Sequence, residues 1–202
     1  FQGSLGTLYM GTYAYYLASP ISFITCLFDA EHLPDAIWLM DMVKAGVIGA
    51  AFSAFAFFRG VRKPFINVVL SMCYALSSAA VTFFILPMYL NAMYMLPILC
   101  ILLEKLIKGE QGRKSVKNGI TYSVVLGIGI MIHYYSMYMV CIFLAMYAVY
   151  LLTEDERTLI SKYLEFILYS LGGVVLSLPM LISVIRELLK GKVSDAGVYS
   201  TG

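Results

Sequence analysis

From residue 64 to residue 103 the chain runs forty positions without a formal charge, almost all of them Leu, Met, Phe, Val, Ile, Ala, Ser and Tyr. As a single helix that stretch would be about 60 Å long, about twice the hydrocarbon thickness of a bilayer, so the pattern predicts that it folds back once. The break belongs at Pro87-Met88-Tyr89-Leu90-Asn91, where a proline and an asparagine interrupt the apolar run. A second run, 118–153, is interrupted only by His133 and predicts the same hairpin, with His133-Tyr134-Tyr135-Ser136 at its turn. Residues 36–58 and 164–185 each supply one more apolar segment of spanning length. The reading is an all-α polytopic transmembrane bundle of six spans.

Residues 1–28 are also free of charge, but Gly3, Gly6 and Gly11, the Tyr13-Ala14-Tyr15-Tyr16 cluster and Ser19-Pro20 break the helical pattern. Tyrosines of this kind favour the headgroup layer. A loop followed by a juxtamembrane helix on the outer face fits better than a seventh span. The expected organisation is therefore an extracytoplasmic segment over 1–35, the bundle over 36–190 and the start of a further extracytoplasmic segment over 191–202. The opening Phe-Gln-Gly, with no Met, reads as a piece of a longer protein, incomplete and inactive by itself.

Composition sharpens this picture. Of 202 residues 61% are apolar or aromatic and 13% charged, against about 25% charged in a soluble domain. A water-soluble globule of this size has too little interior for that load. Fourteen Lys and Arg nearly cancel twelve Asp and Glu, which gives no reason to expect a nucleic-acid partner. Their positions matter more. Arg59, Arg62, Lys63, Lys105, Lys108, Arg113, Lys114, Lys117, Arg157 and Lys162 fall in alternate connections, so ten of fourteen cations share one side. The positive-inside rule makes that side cytoplasmic. Arg186, Lys190 and Lys192 lie on the other side, a minority.

The four cysteines stand alone in apolar segments, and His32 and His133 lack any spacing typical of metal ligands. No P-loop, dinucleotide fingerprint or GxSxG is present. No cofactor is expected; a divalent metal is left open. The informative residues are ionisable groups at membrane depth, which cost about 2.5–3.5 kcal/mol to insert and are functional candidates by default. Asp41 and Lys44 are such a pair, at i and i+3 on one helix. They read either as a local ion pair or as a site in which Lys44 holds a phosphate and Asp41 orients it or a sugar hydroxyl. Asp29, Glu31, His32 and Asp35 cluster ahead of that helix and read either as a solvated loop with Asp35 as the N-cap or first-turn acid, or as supplying a general base or metal-binding acid at the rim of an outer-face site. His133 with Tyr134, Tyr135 and Tyr138 reads as an interfacial aromatic belt or as a sugar-stacking wall.

Several of these segments resemble one family in order and spacing. Gly11-Thr12-Tyr13-Ala14-Tyr15-Tyr16-Leu17-Ala18-Ser19-Pro20 is similar to the "faYYllsP" segment of bacterial YfhO-type membrane proteins. Lys44-Ala45-Gly46 resembles the lysine of that family's next span, and Ser71-Met72-Cys73-Tyr74-Ala75-Leu76-Ser77 its "SlsYALS" stretch. Leu96-Pro97-Ile98 with Leu103-Glu104-Lys105-Leu106 resembles its "LPLillgle" helix. The resemblance covers about residues 1–190. Two positions depart from it: Tyr89-Leu90-Asn91 stands where the family has Trp-Leu-Asp, and His133 where it has Asn.

The resemblance implies a GT-C-like glycosyltransferase of the bacterial cell membrane. Such an enzyme moves a sugar from a polyprenyl-phosphate carrier to a cell-wall polymer such as teichoic acid on the outer face. It also implies a catalytic acid in an external loop upstream of residue 1, so the catalytic residue is unassigned here. Lys44, Asp41, Tyr15, Tyr16 and His133 remain as substrate-binding candidates. The competing reading is a transporter or flippase for a lipid-linked or small anionic substrate, which should carry polar residues to both faces. The inner halves of the spans, 49–58 and 141–152, are almost wholly apolar and favour a site open only outward. A purely structural membrane protein is the third reading.

Overall fold

The computed structural model describes residues 19–109, 113–153 and 159–198. A 3₁₀ helix at Pro20–Leu27 and a single turn at Ala30–His32 lead into seven α-helices: α1 Leu33–Phe58, α2 Pro64–Ala75, α3 Ser78–Phe83, α4 Leu90–Ile107, α5 Arg113–Ile132, α6 Tyr134–Thr153 and α7 Leu159–Val198. No strand occurs among the described residues. The fold is the all-α polytopic bundle that the hydropathy pattern predicts, and among the described residues five helices are long and apolar enough to cross a membrane.

The sixth expected span differs from the prediction. Between Lys63 and Pro87 there is no continuous helix; α2 ends at Ala75, and α3 restarts after Leu76 and Ser77. The Ser77 hydroxyl accepts a hydrogen bond from the Ala80 N–H at 3.4 Å and caps the new helix. Serine competes for backbone groups in this way, and a Ser-Ser pair in an apolar run is a place to break. Charge spacing cannot register such a break.

Two contacts show that the interrupted segment still crosses the bundle. Lys44 of α1 reaches the Pro87 carbonyl just ahead of α4, and Arg59 at the end of α1 reaches Glu104 near the end of α4. Helices α1 and α4 therefore run parallel, and the chain between them has to return from one end of the bundle to the other. Gly60, at φ 97°, makes the first corner. Its N–H bonds the Phe57 carbonyl while the Val61 N–H bonds that of Ala56, closing α1 through a left-handed residue. Pro64 then opens α2 at a position where no N–H is needed.

Helix α4 is the centre of the bundle. It packs against α1, α5 and α6, and Leu90, Leu99, Leu103 and Leu106 are fully buried along it. The most extensive helix pairing is α5 with α7. Gly119, Ser123 and Gly127 repeat every fourth residue on α5 and face Tyr169, Gly172 and Gly173 on α7. The Ser123 hydroxyl donates to the Tyr169 carbonyl, and the hydroxyls of Tyr122 and Ser170 pair at 3.2 Å. Lipid tails are as apolar as leucine, so helices in a bilayer associate through such small-residue contacts and interhelical hydrogen bonds.

The two ends of the bundle are chemically distinct. At one, Arg59, Glu104 and Tyr147 join α1, α4 and α6, while Lys162 bonds the Gly109 carbonyl and Glu165, which also accepts from Ser115. This is the cation-rich end. At the other lie Lys44, the 84–89 turn and His133, the one residue separating α5 from α6. The predicted hairpin at 133 thus turns within one residue, and Tyr134, Tyr135 and Ser136 already belong to α6.

Candidate functional site

Lys44 is 1% exposed, deep in α1 on the side turned to the bundle. Its ammonium carries three donors, and one of them goes to the Pro87 carbonyl at 2.9 Å. Asp41, one turn earlier, is also buried, and its Oδ1 has no hydrogen-bond partner. The two do not form the local ion pair that their spacing allows. Lys44 is drawn instead across to the turn before α4, which leaves the carboxylate behind. Among the described residues a buried lysine and a buried aspartate thus sit one turn apart with no direct hydrogen bond from the ammonium to Asp41 Oδ1. A charge away from water normally demands such a partner.

Beside Lys44 is a cavity of about 420 Å³. Ile37, Met40 and Lys44 form its α1 wall, Pro87 and the rest of the 84–88 turn its far side, and Ser22 and Thr25 of the 3₁₀ helix add hydroxyls. The Thr25 hydroxyl donates to the Ser22 carbonyl at 2.7 Å, keeping that tight helix wound. The outer-face helix expected ahead of α1 is represented in the described residues by this segment, which packs on α1.

His133 is 1% exposed. Its Nδ1 accepts from the Ser136 N–H at 3.3 Å and lies 2.6 Å from the Ser136 hydroxyl, which puts the proton of the neutral ring on Nε2. Tyr89 meets the imidazole edge to face, with centroids 5.2 Å apart. Burial, and after it the positive charge of Lys44, pushes the imidazole down to about 4. His133 is therefore a neutral group at pH 7, able to hydrogen-bond but not to supply a second cation. Lys44 acts on it electrostatically, and the two residues lie toward the same end of the bundle. Tyr15 and Tyr16 lie outside the described residues. Tyr135 and Tyr138 are exposed on α6.

Asp29, Glu31, His32 and Asp35 are exposed in the approach to α1. Asp35 lies in the first turn, where the helix dipole favours an acid; the N-cap position itself belongs to His32, whose side chain makes no capping bond. Among the described residues no group of three or more His, Cys, Asp or Glu is arranged to hold a metal. A second cavity, about 440 Å³ and almost wholly apolar, opens between the interrupted helix, α4 and α6, with Tyr74, Phe83, Tyr89, Met93, Tyr135 and Phe143 around it.

The sequence reading missed the buried Glu104. It is 3% exposed, its Oε2 is 3.1 Å from Arg59 and 4.0 Å from Lys108, and its Oε1 accepts from the Tyr147 hydroxyl. Tyr147 lies inside the 141–152 stretch that looks apolar in sequence. The available signal was an acid within one turn of a helix end otherwise occupied by cations.

A bundle with spanning helices, a cation-rich end and buried ionisable groups near the other end defines a polytopic membrane protein. Over residues 1–200 the chain matches the family described as bacterial membrane protein YfhO, and it belongs to that family. It is accordingly a multi-pass protein of the bacterial membrane. Comparison with curated proteins and with solved structures returns no match.

Proposed function

We propose that this chain is part of a membrane glycosyltransferase that takes a sugar from a polyprenyl-phosphate carrier and passes it to a cell-wall polymer, such as teichoic acid, on the outer face. The reading rests on one observation above the others: Lys44 is a buried ammonium with one hydrogen bond made, set in the wall of a cavity. A buried cation with unspent donors suits an anion, and a lipid phosphate arriving from the bilayer is the anion such a reaction supplies. In an inverting transfer a base takes the proton from the acceptor hydroxyl, whose oxygen attacks the anomeric carbon. The bond from that carbon to the phosphate oxygen breaks, and the electron pair stays on the phosphate. A cation held in a low-dielectric site stabilises that developing charge. Lys44 has that role in this scheme, with Ser22 and Thr25 as hydroxyls toward the sugar or phosphate.

A transporter needs a route to the opposite end of the bundle. There the Glu104, Arg59 and Tyr147 contacts tie three helices together, which weighs toward a site served from the outer side. The deciding experiment is Lys44→Ala in the whole protein, followed by sugar incorporation into wall polymer and by the amount of protein in the membrane. Incorporation should fall to background at unchanged protein level, with Lys44→Arg retaining part of it. Normal incorporation in Lys44→Ala would remove the lysine from the mechanism.

A further inference from the structure

At the cation-rich end the charges do not balance locally. From residue 42 to residue 109 Glu104 is the one acid, and Arg59, Lys108 and the Tyr147 hydroxyl already take it up. Arg62, Lys63 and Lys105 are exposed in the same corner and have no ion pair among the described residues. Two of them fold back onto the end of α1. The Arg62 guanidinium lies over the Phe57 ring, 4.3 Å from its centroid, and the Lys105 ammonium is 5.6 Å from the centroid of Phe58. A guanidinium stacked in this way spends its flat face and keeps its N–H edge for an anion. Phe57 and Phe58 are themselves 50% and 40% exposed, so these cations stand directly on lipid-facing rings. Helix α2 begins beside them at Pro64, with no side chain capping it and no acid in its first turn, so the positive end of its dipole adds to the same surplus. Its first turn continues the apolar surface through Phe65, 79% exposed, and Ile66. A bias of cations toward one side of the membrane asks for none of this: neither stacking on lipid-facing rings nor the lack of acid partners.

We propose that this corner holds an acidic phospholipid of the adjoining leaflet: its phosphate lies among Arg62, Lys63 and Lys105, and its chains run along Phe57, Phe58 and Phe65. The headgroup supplies the negative charge that the protein withholds here, and the exposed rings supply the apolar surface below it. A zwitterionic lipid brings its own cation to the same place and leaves the surplus standing. The site is at the opposite end of the bundle from Lys44 and does not depend on what Lys44 binds. It braces the corner that Gly60 turns, where α1, α2 and α4 come together.

The test is thermal melting of the full chain in uncharged detergent as phosphatidylglycerol or phosphatidylcholine is titrated in. A ligand that binds only the folded state stabilises it, so phosphatidylglycerol should raise the melting temperature and phosphatidylcholine should not. Arg62→Gln/Lys105→Gln should need at least about tenfold more phosphatidylglycerol for the same rise, since each cation at a lipid surface is worth about a factor of five. Arg62→Lys/Lys105→Arg, which keeps both charges, should keep most of the rise. Lys117→Gln, which removes an exposed cation of the same end on α5, should stay within about twofold of the parent. Equal rises with the two lipids, or a loss in Lys117→Gln as large as in the double variant, would mean diffuse attraction and overturn the proposal. A full rise with glycerol 1-phosphate, the same anion without chains, would overturn it as well.

Discussion

The Arg59 guanidinium and the Glu104 carboxylate meet at 3.1 Å at the end of the bundle opposite Lys44, joining the last turn of α1 to the last turn of α4. Arg59 is partly exposed, whereas the Glu104 side chain is 4% exposed. Removing the arginine therefore leaves a buried carboxylate with Tyr147 and the more distant Lys108. Arg59→Ala should lower stability in detergent by about 1.5–3 kcal/mol, the range for a hydrogen bond to a charged group. Arg59→Ala/Glu104→Gln should recover part of that loss, since the stranded charge is gone. Additive losses in the double variant would show that the two side chains are not coupled.

Helices α5 and α7 touch where their glycines leave room. A Cβ at Gly127 would meet the Gly173 carbonyl at 2.9 Å, and one at Gly173 would meet that of Ser123 at 2.9 Å. Backbone cannot swing aside as a side chain does, so Gly127→Ala or Gly173→Ala should each cost about 1–3 kcal/mol through overpacking. Gly46, with nothing within 4 Å of its Cβ position, is the control; Gly46→Ala should leave stability unchanged or slightly raised. Indistinguishable melting of all three variants would rule out close packing at this seam.

His133 gives the fold a pH dependence of definite sign. Its pKa is about 4 in the fold and about 6.5 in an unfolded chain, so between those values the unfolded state binds the extra proton. The contribution is complete above about pH 6.5 and is lost as pH falls toward 4. Melting temperature should drop through that window, and His133→Gln should flatten the drop. A slope of the same size in His133→Gln would assign the effect to other groups.

The orientation can be read by labelling. In a variant without its native cysteines, Lys63→Cys, exposed in the connection after α1, should react with an impermeant thiol reagent only from the cytoplasmic side, and Ile85→Cys, exposed in the turn before α4, only from outside. The reverse pattern would invert the assignment of the site to the outer face.

How much of this was legible in the sequence follows from what each signal measures. The polytopic helical bundle and the segregation of Arg59, Lys105, Lys108 and Lys162 from Lys44 and His133 could be read from charge spacing, because bilayer thickness sets the length of an uncharged run. The break at Leu76 and Ser77 could not, since a discontinuous helix spends the same number of apolar residues as a straight one. Lys44 stood out because an ammonium in lipid is costly wherever it points. Its choice of Pro87 over Asp41 depends on how α1 meets the turn before α4, a tertiary relation that i, i+3 spacing does not contain. Glu104 looked like one more charge in a polar connection, and only the approach of α6 reveals that Tyr147 covers it. The small-residue stripe on α5 was visible in sequence as Gly119, Ser123 and Gly127, but nothing in it named α7 as the partner.

The acceptor for Lys44 is a main-chain oxygen, and that has a genetic consequence. Any amino acid placed at position 87 brings a carbonyl of its own, so this tether has a mutable handle at one end only. A scan of side chains could register the loss of the contact at the lysine but not at the proline, and so would not reveal that they are two halves of a single contact.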